Sequence, residues 1–288
     1  MAKITLQKPT LGSLSQHLLL GSAMVFALFP ILWIFSAAIN PTGSLYSGSL
    51  IPPNWSFSNF QALGSRTEGL FWRWTGNSFL VSSITSLLAV GITSLSAYAF
   101  SRFRFAFRRQ LLLLVLLVQV FPPMLTMVAL FLFIQILGSY LPLFGLNTYG
   151  GLILVYLGGQ MGINIWFMKG FFDSIPREID ESAFVDGATH FQTYRYLILP
   201  LAKPILAVIA ILVFIGTFGE FILASIFMRS TEQYTLMVGL YLFISDPLAQ
   251  RWGIFAAGSL VASIPIILVY LSLQDSIVNG LTQGAVKG

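Results

Sequence analysis

Side chains that can carry charge are scarce in this sequence, and many of them sit together. Asp173, Arg177, Glu178, Asp180, Glu181, Asp186, Arg195 and Lys203 all fall between Asp173 and Pro204. Such density could serve catalysis or docking. Long apolar segments on both sides make the stretch a loop on one face of a membrane. Its own signals divide it into two short helices. Pro176 suits a first helical position, where its missing N–H is not needed. Glu178, Asp180 and Glu181 crowd the first turns, where the helix dipole favours negative charge. Gly187 suits the helix end, because it reaches the left-handed conformation that closes a helix. Thr189 and Gln192 have capping-box spacing, which predicts a second helix through Phe191, Tyr194 and Leu197 to Pro200. A charged helix–Gly–helix element exposed beside a membrane is a docking element more naturally than a catalytic one.

Other chemistry is hard to find. There is no G-x-x-x-x-G-K-[ST] phosphate loop, so a nucleotide would have to be held by another chain. The spans carry no Ser/His/Asp set, no H-E-x-x-H and no paired carboxylates, which argues against an intramembrane enzyme and leaves no catalytic residue to name. Cysteine is absent, and His17 and His190 stand far apart, so no metal-ligand spacing or cofactor site is expected on this chain.

The elements that must position the docking stretch follow from composition. Charged residues make up 9% of the chain and hydrophobic ones 56%, with a mean hydropathy of +0.84. Soluble domains carry about 25% charge, so an all-α, polytopic membrane protein is expected, as one domain over residues 1–288 with the docking loop, 173–204, inside it. Apolar segments near 18–39, 77–100, 111–137, 150–172, 201–228 and 254–273 predict six transmembrane helices. The first is too long for a signal-peptide core and lacks a small-residue cleavage site close behind it. Residues 40–76 read as a long loop on the membrane surface, with Trp55, Trp72 and Trp74 favouring the interface. Small residues such as Ser82, Ser86, Gly91, Ser94 and Ala97 suit close helix packing in the second span. Pro122-Pro123 should break or kink the third.

Six spans put both termini on one side. Lys3, Lys8, Arg102, Arg104, Arg108, Arg109, Lys169, Arg177, Arg195, Lys203 and Lys287 then share that side, against Arg66, Arg73, Arg229 and Arg251 opposite. The positive-inside rule makes the richer side cytoplasmic, the docking loop included. The net charge of +5 flanks apolar spans and forms no aromatic-interleaved stripe of the kind that binds nucleic acid.

With these residues in view, a resemblance is apparent. Glu181-Ser182-Ala183, Gly187 and Leu199-Pro200 resemble the EAA loop of permease subunits in binding-protein-dependent ABC importers, whose pattern is E-A-A, three residues, G, nine residues, I-x-L-P. Ser182 replaces the first alanine and Leu197 the isoleucine. Pro176 to Asp180 and Asp186-Gly187-Ala188 are similar to the carbohydrate branch, in particular its smaller, maltose-type permease subunits. The resemblance implies a type I importer permease fold in a bacterial inner membrane. It also implies a role as coupling helix for Glu181, Ser182, Ala183, Asp186, Gly187, Ala188, Leu199 and Pro200. The partners it implies are a second permease subunit, two ATPase subunits that hold ATP and Mg, and a periplasmic or lipid-anchored sugar-binding protein.

The substrate implied is an oligosaccharide such as maltodextrin or trehalose, with another sugar or a solute such as glycerol 3-phosphate as the alternative. The tail also resembles this branch, which implies ATPase contacts for Gln283, Gly284 and Lys287. Residues after Leu281 are too short and glycine-rich to hold a helix alone. The loop Arg229 to Gly253 corresponds by position to one that reaches into the binding protein. Glu220, the one acid within a span, is a candidate for the substrate path or for a helix contact; Gly219 before it departs from the branch's Asn-Glu-Phe. Gln119, Asn164 and Tyr156 could hydrogen-bond sugar hydroxyls or bind helices together. An ion-coupled carrier would show an inverted repeat and more intramembrane charge, and neither is seen.

Overall fold

The computed structural model describes residues 11–43, 50–120, 123–246 and 250–285. It is mostly helical, and no strand occurs among the described residues. The helices are α1 (Leu11–Ala38), α2 (Ser58–Ser65), α3 (Leu70–Arg102), α4 (Arg108–Val120), α5 (Pro123–Tyr140), α6 (Tyr149–Ser174) and α7 (Glu178–Val185). After them come α8 (His190–Thr193), α9 (Leu199–Leu201), α10 (Lys203–Phe218), α11 (Ile222–Phe227), α12 (Leu236–Tyr241) and α13 (Trp252–Ala285). Among the described residues, four helices are long and apolar enough to cross a membrane, and up to six crossings result if two bent pairs each count as one. The pairs are Arg108–Val120 with Leu125–Tyr140, bent by 105°, and His190–Leu201 with Lys203–Phe218, bent by 77°. The first break falls where the proline pair predicted it; Pro122 itself lies outside the described residues.

The chain separates into two compact units, residues 1–68 with 242–261, and residues 69–241 with 262–288. In the first, α1 exposes Leu18, Val25 and Phe26 at 68%, 70% and 83%. Its end is held: the Asn59 amide of α2 donates to the carbonyls of Ala38 at 3.0 Å and Asn40 at 2.9 Å. That contact gives the expected surface loop an ordered core, and α2 adds a helix to it. Trp55 is exposed, as an interfacial tryptophan should be.

In the second unit α3 packs along α6 and α10. Ser82, Ser86, Ala89, Thr93 and Ala97 recur at helical spacing and are buried, so the backbones approach closely. The Ser86 hydroxyl crosses to the Ala210 carbonyl of α10 at 2.8 Å. Gly91, expected on this seam, lies on the exposed side. Trp74 is also corrected: the helix begins at Leu70, inside the expected loop, and turns the indole inward. It is 2% exposed, and its N–H donates to the Thr231 carbonyl at 2.7 Å.

The fifth apolar segment does not run as one helix to Met228. The α10 helix ends at Phe218, and α11 starts at Ile222, because the Glu220 carboxylate takes the backbone N–H groups of Leu223 and Ala224. The sixth runs on to Ala285, past the point where the tail was expected to lose helicity. Nucleation is the costly step, and a tail that extends an existing helix needs none.

Candidate functional site

The docking element is built as its sequence signals require, with changes at its edges. The helix α7 starts at Glu178, and Pro176 stands just ahead of the cap instead of in the first turn. Gly187 has φ +82°. Its N–H bonds to the Phe184 carbonyl at 3.1 Å, and the Ala188 N–H reaches back to Ala183 at 2.9 Å. These paired bonds are a Schellman closure, which favours glycine at the left-handed position. The capping box then starts α8: Thr189 N–H donates to Gln192 Oε1 at 2.8 Å, and Gln192 N–H to Thr189 Oγ1 at 3.3 Å. The second helix continues past Pro200 to Leu201 through a π-turn at Tyr194–Ile198. It forms there the first member of the bent pair, which breaks before Lys203.

Not all the charge in this stretch faces outward. Asp180 turns inward to Arg102 at the end of α3, with 3.0 Å between Nε and Oδ2 and both side chains under one-tenth exposed. Arg102 also donates to the Ile175 carbonyl at 3.0 Å, and Arg177 to the Ser101 carbonyl at 3.3 Å. The Ser101 hydroxyl donates to Asp173 Oδ1 at 2.6 Å, and Lys169 pairs with the other oxygen of that carboxylate. The ends of α3 and α6 and the start of α7 are thus bound by charge-assisted contacts. The ring of His190 stands between Phe103 and Phe184, with centroids at 4.9 and 4.7 Å. Tyr194 bonds Ser94 of α3 at 2.7 Å.

What faces outward is a cleft of about 460 Å³ between α7 and α8. Of the predicted docking residues, Ser182, Ala183, Asp186 and Ala188 line it, together with Gln192, Tyr196 and Leu197. Glu181 and Gly187 are exposed beside it. Leu199 and Pro200 lie beyond the π-turn, at the bend into α10. The sequence reading missed Arg102 and Asp180 as fasteners; an arginine ending a span looks the same whether it faces solvent or a buried acid.

Of the four residues named for the substrate path, Tyr156 and Glu220 meet, while Asn164 and Gln119 bond elsewhere. Tyr156 donates to Glu220 Oε2 at 2.7 Å, and Glu220 accepts from Leu223 N–H at 2.8 Å and Ala224 N–H at 3.0 Å. Asn164 is buried and bonds the Gln160 carbonyl of its own helix at 2.7 Å. Gln119 donates to Gly159 at 3.3 Å, and its amide lies so close to Gly162 that an added Cβ would collide with it. Gln119 alone of the four lines a cavity of about 520 Å³ among α4, α5 and α6, whose walls are mostly apolar, including Val118, Leu130, Phe133 and Leu154.

Comparison with known proteins fixes the setting. Residues 89–283 match the family described as the binding-protein-dependent transport system inner membrane component. The chain belongs to this family. The permease is 41% identical to the galactooligosaccharides transport system permease protein GanQ of Bacillus subtilis, over 96% of this chain and 95% of that one. It is 41% identical to the maltose/maltodextrin transport system permease protein MalG of Vibrio vulnificus, and 39% to that of Escherichia coli K12, in both cases over 94% of this chain and 95% of the other. A crystal structure of a bacterial ABC transporter involved in the import of the acidic polysaccharide alginate has a chain with TM-score 0.73 and 25% identity, covering 95% of this chain and 99% of that one. The multi-pass, inner-membrane character of the permease accords with its several long apolar helices.

Two more segments singled out in the sequence can be located in the permease. The segment after Arg229 is fixed to the start of α6 and to α3. Asn147 Oδ1 accepts from the N–H groups of Arg229 at 2.8 Å and Ser230 at 3.0 Å. The Asn77 amide donates to the carbonyls of Glu232 at 3.0 Å and Tyr234 at 2.9 Å, and Leu236 N–H donates to Ser78 Oγ at 2.7 Å. In the tail, Gln283 and Gly284 fall within the last turn of α13; Lys287 lies outside the described residues.

Proposed function

We propose that this chain is a permease subunit of an ATP-driven sugar importer, passing an oligosaccharide of the maltodextrin or galactooligosaccharide class inward from a binding protein. The observation that carries the reading is the α7–α8 element, a rigid helix–Gly–helix fastened to the ends of α3 and α6. Each bent pair counts as one span, which gives six, with both termini and the α7–α8 element on the cytoplasmic side. A second permease subunit, two ATPase subunits carrying ATP and Mg, and the loaded binding protein complete the machine. The cleft beside Glu181, Ser182 and Asp186 receives an ATPase surface. When the ATPase subunits close, the fastened element carries their displacement into α3 and α6 as a lever.

Ligands shift such an equilibrium only by binding its two states unequally. ATP and the loaded binding protein supply that difference here. Gln283, Gly284 and Lys287 form a second ATPase contact, and the segment from Arg229 faces the binding protein. Glu220 acts by joining α6 to the broken helix; it does not touch sugar. The test is sugar uptake and ATPase activity of the reconstituted complex carrying Glu181→Lys. Loss of ATP-driven uptake at an unchanged membrane level is expected. Wild-type uptake would remove the coupling role of this loop.

A further inference from the structure

The docking element leaves unused the loop that joins α3 to α4. It reads Ser101-Arg-Phe-Arg-Phe-Ala-Phe-Arg-Arg, alternating arginine with phenylalanine. Arg102 is engaged inward with Asp180. Arg104, Arg108 and Arg109 form no close ion pair among the described residues, although Arg108 lies near enough to Asp173 to attract its carboxylate; the sequence holds no acid between Glu68 and Asp173. Phe105 and Phe107 are exposed at 41% and 71%. Phe107 holds φ +62°, a conformation costly for a bulky side chain and one that tends to mark functional positions. Leu111 and Leu114 of α4, exposed at 42% and 55%, follow directly.

We propose that this loop is a binding site for an anionic phospholipid headgroup. Arginines at the end of a span attract acidic lipid, and guanidinium groups match phosphate geometry. Exposed rings beside them seat in the interface, and the leucines of α4 meet the acyl chains. A protein partner shared with the docking element is the less suited occupant: the outward acids Glu178 and Glu181 of α7 and Asp186 at its C-cap have the opposite sign, so the two surfaces do not serve one ligand. Phe103 touches His190 of α8, and Arg102 holds α7, so the occupied site lies one residue from the fasteners of the docking element.

The experiment uses the full chain, purified and placed in nanodiscs of phosphatidylcholine and phosphatidylglycerol in equal parts, then released for native mass spectrometry. Wild type should retain phosphatidylglycerol in preference to phosphatidylcholine. The variant R104Q/R108Q/R109Q should lose that preference by roughly fivefold for each arginine removed. R104K/R108K/R109K should keep most of it, which separates lost charge from lost fold. Inorganic phosphate in the buffer should not compete. Equal retention by wild type and the Gln variant would overturn the proposal, as would displacement by inorganic phosphate. So would a Gln variant that keeps its lipid and loses a copurifying ATPase subunit, since the loop would then be a protein contact. The readout needs neither sugar nor ATP, so its failure leaves the import reading standing, and failed uptake leaves the lipid site standing.

Discussion

Two carboxylates with equal formal charge have opposite duties in this protein. Asp180 was one of several acids that could have faced a partner; instead it pairs with Arg102, both side chains largely buried. Removing one partner of a buried pair costs more than removing both, about 3–5 kcal/mol, because the survivor is left uncompensated. Arg102→Ala should therefore lower the unfolding midpoint in detergent, and Arg102→Met with Asp180→Leu should recover much of the loss. A wild-type midpoint for Arg102→Ala would show the pair to be idle. Glu220 holds three donors, two of them backbone N–H groups at the start of α11. Glutamine keeps an acceptor for those groups, whereas alanine strands all three donors, each at about 1–3 kcal/mol. Uptake should rank wild type above Glu220→Gln, and Gln above Glu220→Ala. A Gln variant as weak as Ala would mean that the charge itself is needed.

At the scale of elements, α7 and α8 depend on one backbone torsion between them. Proline fixes φ near −65° and cannot adopt the +82° of Gly187. Gly187→Pro should keep the protein in the membrane while ATPase subunits cease to copurify with it, which a pull-down reads directly. The caps of these helices were legible because their chemistry is local: the closing glycine and the Thr189/Gln192 box act within a few residues. The proline break between α4 and α5 was legible for the same reason. The fasteners were not, since the partners of Arg102, Trp74 and Glu220 come from distant parts of the chain, 64 residues away for Tyr156. Hydropathy read the fifth segment as continuous because it does not register a side chain that takes over helix N–H groups. The helical tail was missed by treating it as a separate peptide.

At the scale of the whole molecule, the proposed importer gives the tail a second ATPase contact. Deleting Thr282 to Gly288 removes the last turn of α13 and leaves every apolar span intact. ATP-driven uptake in vesicles should fall at equal membrane level, with the partner permease still bound; unchanged uptake would mark the tail as dispensable.

The bare sides of α1 bear on how this sequence tolerates change. Exposed apolar side chains on a membrane span are constrained chiefly by their affinity for hydrocarbon, and any residue of similar transfer energy will serve. Across residues 18–34, a saturation library should accept exchanges among Leu, Ile, Val, Phe and Met and reject lysine or aspartate, giving a profile with composition but no preferred residue. The seam of Ser82, Ser86, Ala89 and Ala97 should behave in the opposite way, rejecting larger apolar residues that lipid would welcome. If α1 proved as discriminating as the seam, a partner chain must cover it, and the pattern of intolerance would trace that partner's footprint.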